Sequence, residues 1–83
     1  MGSGLNNALA QALAEAAERI YDERYRIEFE REHHGKFVAI DPETGMAYVG
    51  DSDTEALQKA RSEAPDHLCY LIRVGFAAAY QML

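Results

Sequence analysis

Three histidines and one cysteine, His33, His34, His67 and Cys69, are the side chains of this 83-residue chain most able to bind a transition metal. No two of them have the spacing of a zinc knuckle, and adjacent histidines closing a helical run read as polar turn residues, so no metal site is expected. The acidic run Asp51, Asp53 and Glu55 looks like the opening of a calcium loop, yet Ala56 stands where such a loop needs glycine and the closing glutamate is missing. Helix capping accounts for those residues. Gly45 and Gly50 have phosphate-loop spacing, but no Lys-Ser or Lys-Thr follows and Asp51 would repel phosphate. Cys69 lies in mid-strand with no base placed by sequence to activate it, and reads as a core residue. Arg73, a lone cation late in an apolar strand, is either a side chain snorkelling to an edge or the anchor of a salt bridge. With Tyr70 and Tyr48 it could also line a pocket for an anion. No catalytic residue and no cofactor is assigned.

The elements that must position these side chains are organised around residues 35–53, which read as a β-hairpin leading into a helix. Phe37, Val38, Ala39 and Ile40 form a short apolar run, and Tyr48 and Val49 mark its mate. Pro42-Glu43-Thr44-Gly45 between them is a four-residue loop, with proline presetting an early turn position and Gly45 free to take a positive φ. Because residues 37–40 are apolar without alternation, both faces of that strand should be covered, which suits a central strand. Ser52 as N-cap with Glu55 three residues on forms a capping box, and Leu57, Ala60 and Ala64 give the helix a slim face before Pro65 ends it. Residues 68–74 are then a strand, with Leu68, Tyr70, Ile72 and Val74 on one face and Cys69, Leu71 and Arg73 on the other. If that strand lands beside residues 36–41, the sheet is antiparallel in the order 2-1-3.

Residues 5–34 contain no glycine or proline and predict a long helix. Leu5, Leu9, Leu13, Ala16, Ile20 and Ile27 fall on one stripe. Tyr25, Ile27 and Phe29 alternate with charged residues, so residues 25–30 are either a continuation of the helix, the preferred reading, or an extra edge strand. An unbroken helix of that length spans roughly 43 Å, longer than a compact domain of this size needs. Residues 1–4 are expected to be a flexible leader, and residues 35–83 a compact ββαβ unit with an apolar tail.

Composition narrows the function classes. A net charge of −6, with only Lys36, Lys59 and six arginines interleaved among acids, argues against a nucleic-acid surface. No apolar run approaches the ~20 residues of a membrane span, and a cytoplasmic protein is the expectation. A single cysteine fits a reducing compartment.

Two resemblances emerge from these motifs. Gly35-Lys36-Phe37-Val38-Ala39-Ile40-Asp41, then Thr44-Gly45, then Gly50-Asp51 with Glu55-Ala56-Leu57 and Ala60, and finally Tyr70-Leu71-Ile72-Arg73-Val74-Gly75, resemble a group of short bacterial proteins of unknown function with a helix, hairpin, helix, strand plan. That resemblance covers residues 30–75 and implies a fold without an activity. Tyr48-Val49-Gly50-Asp51-Ser52 with Glu55-Ala56-Leu57 and Ala60 is similar to the G-D-T-x-x-E-A-L segment of HicB-type antitoxins. It implies a partly degraded RNase-H-like fold that binds a small toxin. The chain departs from that family in its long leading helix and in lacking the family's usual C-terminal DNA-binding segment.

The expectation is therefore an α+β domain in which a long N-terminal helix precedes a ββαβ unit, with helices packed on a three-stranded antiparallel sheet. Its expected function is non-enzymatic: self-association, as a homo-dimer, and binding of a protein partner, in an antitoxin-like role. Leu5, Leu9, Leu13, Ile20, Arg73, Phe76, Tyr80 and Leu83 are its expected interface residues. A small anion-binding or enzymatic domain with a pocket around Arg73 is the alternative.

Overall fold

The structure, a computed structural model, describes residues 2–76 and 81–82, with side-chain environments from residue 8 to residue 76. The leading helical rod comprises α1 (Gly2–Ile20), a π-helical turn (Tyr21–Tyr25) and α2 (Arg26–Glu32). Residues 2–4, expected as a leader, are the first residues of α1. Residues 25–30 are helical, so the edge-strand alternative falls.

The π turn explains how Tyr25 and Phe29 share a face with Tyr21. Ala17, Tyr21, Tyr25, Phe29 and His33 recur every four residues, and on a uniform α-helix each such step drifts by about 40°, which would carry the series about 160° round the rod. One wide turn, closed by the Arg26 N–H donating five residues back to the Tyr21 carbonyl, takes back about one residue's rotation, or about 100°. The rings of Tyr21, Tyr25 and Phe29 therefore stay together, with centroids 6.3 Å (Tyr21 to Phe29) and 5.1 Å (Tyr25 to Phe29) apart. Ala14, Ala17 and Ile20 join them on the face that meets the sheet. The expected stripe is corrected accordingly: Ile27 is 82% exposed and Leu9 57% exposed.

After Gly35, β1 (Phe37–Ile40) pairs antiparallel with β2 (Ala47–Gly50), Val38 opposite Val49. The chain then runs through α3 (Asp53–Glu63) to β3 (Tyr70–Arg73), which lies antiparallel on the other side of β1, Val38 opposite Ile72. The expected 2-1-3 order is present. A fourth strand, β4 (Gln81–Met82), pairs with β3 at Tyr70 and Leu71 and extends the sheet to β2-β1-β3-β4. Gln81 and Met82 of the expected tail are thus on the chain's own sheet, and Tyr80 and Leu83 lie outside the described residues.

Strand alternation sorts the apolar side chains into two cores. Val38, Ile40, Tyr70, Ile72 and Val74 face the helical rod, while Ala39, Cys69 and Leu71 face Ala56 and Ala60 of α3. Leu68, expected on the first face, is 43% exposed and stands beyond the strand. The Ser52 hydroxyl caps α3 by accepting the Glu55 N–H at 3.1 Å, and Glu55 Oε1 accepts the Asp51 N–H at 2.5 Å, one residue before the usual capping-box partner. On the open edge, Lys59 Nζ donates to the Val49 carbonyl at 2.7 Å.

Gly50 is where α3 comes closest to the sheet. A Cβ there would lie 2.5 Å from the Ala56 nitrogen and 3.0 Å from its Cα, atoms of the capped first turns of α3 that cannot give way singly. Gly50→Ala should therefore cost about 1–3 kcal/mol, read as a lowered urea midpoint; a midpoint unchanged from wild type would mean that α3 is not held this close.

Candidate functional site

Where β1 ends, Asp41 turns the chain into the hairpin loop. Its N–H donates to the Met46 carbonyl at 2.9 Å, and its carbonyl accepts the Gly45 N–H at 2.8 Å, closing a loop in which Gly45 has φ +81°. Asp41 Oδ1 accepts the Glu43 N–H at 2.9 Å, the local bond that makes Asp common in such turns. Asp41 is nevertheless fully buried. Its other oxygen, Oδ2, accepts from His67 Nδ1 at 2.7 Å, and Glu43 Oε2 lies 3.8 Å from the same nitrogen. From the helical rod, the Tyr25 hydroxyl donates to the Gly45 carbonyl at 2.7 Å. The hairpin tip is thus held by the π turn on one side and by the α3–β3 connection on the other.

The electrostatics follow from this packing. Burial alone would raise the Asp41 carboxyl's pKa, but hydrogen bonds from His67, the Glu43 N–H and Thr44 outweigh it and hold the pKa below the ordinary carboxylate value. The hydrogen bond to Asp41, outweighing burial and reinforced by the charges of Asp41, Glu43 and Asp66, raises His67 above its ordinary value. Cys69 is pushed up to about 11, first by burial and then by the Asp41 charge. At neutral pH it is a protonated core thiol, with no activated nucleophile character. Tyr48, raised by burial and then by Asp41, is likewise a neutral phenol.

Neither Asp41 nor Glu43 was among the residues the sequence singled out, yet a signal was present. β1 and β3 pair with Ile40 opposite Tyr70, and continuing that register one step sets Asp41 opposite Cys69, with His67 two residues further on. The 2-1-3 strand order therefore already brought a carboxylate and an imidazole to one end of the sheet. Of the four metal-capable residues in the sequence, only His67 lies in this cluster; His33 packs edge-on against Phe29, and His34 against Phe76.

Five of the expected interface residues have described side chains. Ile20 packs against its own core, Leu13 is half-buried and Leu9 is exposed. The side chains of Leu5, Tyr80 and Leu83 are outside the described residues. Arg73 and Phe76 do meet: the guanidinium lies 4.1 Å from the Phe76 ring centre and 5.3 Å from that of Phe37, and its Nε donates to the Gly35 carbonyl at 3.3 Å. Among the described residues Arg73 has no carboxylate within ion-pair distance, which corrects the salt-bridge alternative. A depression of about 310 Å³ beside it is lined by Tyr21, Arg26, Glu30, Ile72, Gly75 and Phe76. Arg26 there is engaged by Asp22 at 2.7 Å and Glu30 at 3.8 Å, while Arg73 of the same lining is covered by the Phe76 ring.

Five residues from the end of β2 to the middle of α3 have local structural tasks. Gly50 admits the close approach of α3, Ser52 and Glu55 cap it, and Ala56 and Ala60 are its buried face. No family model, no curated protein and no solved structure matches the chain.

The Asp41–His67 pair sets a pH window. His67, raised in the folded state, adds stability that is complete below its unfolded value of about 6.5 and is lost as pH rises through the folded value; Asp41, lowered, adds stability present above about 3.9 and lost as pH falls through its folded value. In EDTA-containing buffer, the wild-type melting temperature should fall as pH is raised from 6 to 9, and His67→Gln should flatten that limb. Parallel pH profiles for the two proteins would show that the pair does not form.

Proposed function

We propose that this chain is a non-enzymatic interaction module that self-associates and binds a protein partner. The carrying observation is on α1: among its described side chains, from residue 8 on, only Ala14, Ala17 and Ile20 pack on the core, while Leu9 is exposed and Leu13 half-buried. The molecule measures 43 × 24 × 20 Å, so the rod extends along its longest dimension rather than wrapping the sheet. An apolar helical face without a surface to bury it is satisfied by a second copy of itself packed along the same face. The neutral Cys69 and Tyr48 favour this reading over catalysis.

An antitoxin-like role is the concrete form of the proposal. Its support is the similarity of residues 48–60 to HicB-type antitoxins and a net charge of −6, which would steer and hold a basic protein partner. The alternative, a small anion in the depression beside Arg73, predicts saturable binding of sulfate or phosphate that Arg73→Gln abolishes.

Light scattering at micromolar concentration should give about twice the 9.3 kDa chain mass. Leu9→Glu and Leu13→Glu together should weaken the dimer at least about tenfold, the effect of losing ~1.4 kcal/mol, with the circular dichroism spectrum preserved. A wild-type mass of 9.3 kDa at that concentration would overturn the self-association.

A further inference from the structure

The geometry points to a divalent transition-metal site of the zinc type at the hairpin tip, with Asp41 Oδ2, Glu43 Oε2 and His67 Nδ1 as its ligands. One ligand atom from each of the three residues lies within 4.8 Å of the others. They come from two chain segments that the sheet brings together: Asp41 and Glu43 from the loop after β1, His67 from the connection before β3.

The arrangement differs from a surface cluster of acids in two ways. Asp41 is fully buried, and its Oδ1 is occupied by the Glu43 N–H at 2.9 Å, so Oδ2 is aimed at His67 and Glu43 by a carboxylate that cannot turn away. Backbone bonds outside the ligand set hold the ligands in place, the role that outer partners play around metal centres: the Asp41 N–H donates to Met46 O at 2.9 Å, and the His67 N–H to Ala64 O at 3.1 Å. The second difference is the donor set. One imidazole with two carboxylates suits a borderline ion such as Zn²⁺, whereas calcium and magnesium take oxygen ligands.

The distances need only small adjustments. Tetrahedral ligands about 2.1 Å from zinc are about 3.4 Å apart. His67 Nδ1 stands 2.7 Å from Asp41 Oδ2 and 3.8 Å from Glu43 Oε2, so the ion would open the first contact and draw in the second. The side chains that must move are the accessible ones, His67 at 31% and Glu43 at 56% exposure, while Asp41 stays fixed. Their exposure also leaves the fourth position to solvent. The ion would replace the proton shared by His67 and Asp41 and recruit Glu43, which is a bystander to that hydrogen bond. Glu43 is therefore the residue that separates a metal centre from an ordinary Asp–His pair.

The test uses the full, tag-free chain, stripped with chelator and titrated with Zn²⁺ alone by calorimetry, and with Co²⁺ followed by its visible absorption. One Zn²⁺ per chain is expected, with a tetrahedral Co²⁺ spectrum. Glu43→Gln should weaken Zn²⁺ binding at least about tenfold while keeping the circular dichroism spectrum of the metal-free fold, and His67→Gln should abolish binding. A double His33→Gln, His34→Gln variant should bind as wild type. If His67→Gln does not fold, Glu43→Gln and the cobalt spectrum decide alone. No saturable binding up to about 100 µM Zn²⁺, a weak affinity for any site, would overturn the assignment. So would equal affinity in Glu43→Gln, or binding lost with His33 and His34.

Discussion

A carboxylate without solvent contact is the constraint around which this small domain is arranged. Burying the charge of Asp41 would cost several kcal/mol if nothing met it. It is met by the Glu43 N–H, the Thr44 side chain and the His67 imidazole. Those partners belong to the hairpin loop and to the connection that feeds β3, so satisfying Asp41 requires both to be in place. The loop is in turn bound to the helical rod by the Tyr25 hydroxyl. Three segments far apart in sequence are thereby tied at one end of the sheet.

The π turn makes the second of these ties possible. Without the extra residue it accommodates, Phe29 would rotate off the face that Ala17 and Tyr21 share, and the rod would meet the sheet over one half of its length only. A helix with a strict 3.6-residue pattern needs no such device. Here the four-residue spacing of the aromatic side chains and the wide turn compensate each other, and the turn falls where Tyr25 reaches the hairpin.

Much of the architecture was legible because it is written in local chemistry. Pro42 and Gly45 announce a turn, Ser52 and Glu55 a helix start, and the unalternating Phe37–Ile40 a strand covered on both faces; each is what the structure contains. The 2-1-3 order followed from the last of these. What stayed hidden depends on pairing at a distance. In the sequence Asp41 is the last residue of a strand, before a proline, and His67 a metal-capable side chain without a partner at ligand spacing; only the β1–β3 register brings them within 2.7 Å. The rotation of Ile27 to solvent was hidden for a similar reason, since a stripe counted at 3.6 residues does not know that one turn is wider. β4 escaped notice because two residues of strand carry no periodic signal.

The guarded flank of the sheet bears on how copies of this chain could meet. β2 has four residues, one of whose carbonyls is occupied by the Lys59 ammonium, and the charged partners Lys36 and Asp51 stand at its end. A lysine laid across so short a border leaves little bare backbone for a neighbouring sheet to zip onto, so ribbon-like stacking and fibril growth from that side are disfavoured. Under the self-association proposed above, copies would meet away from this border, and a helical face is a surface on which contact can stop at a closed pair.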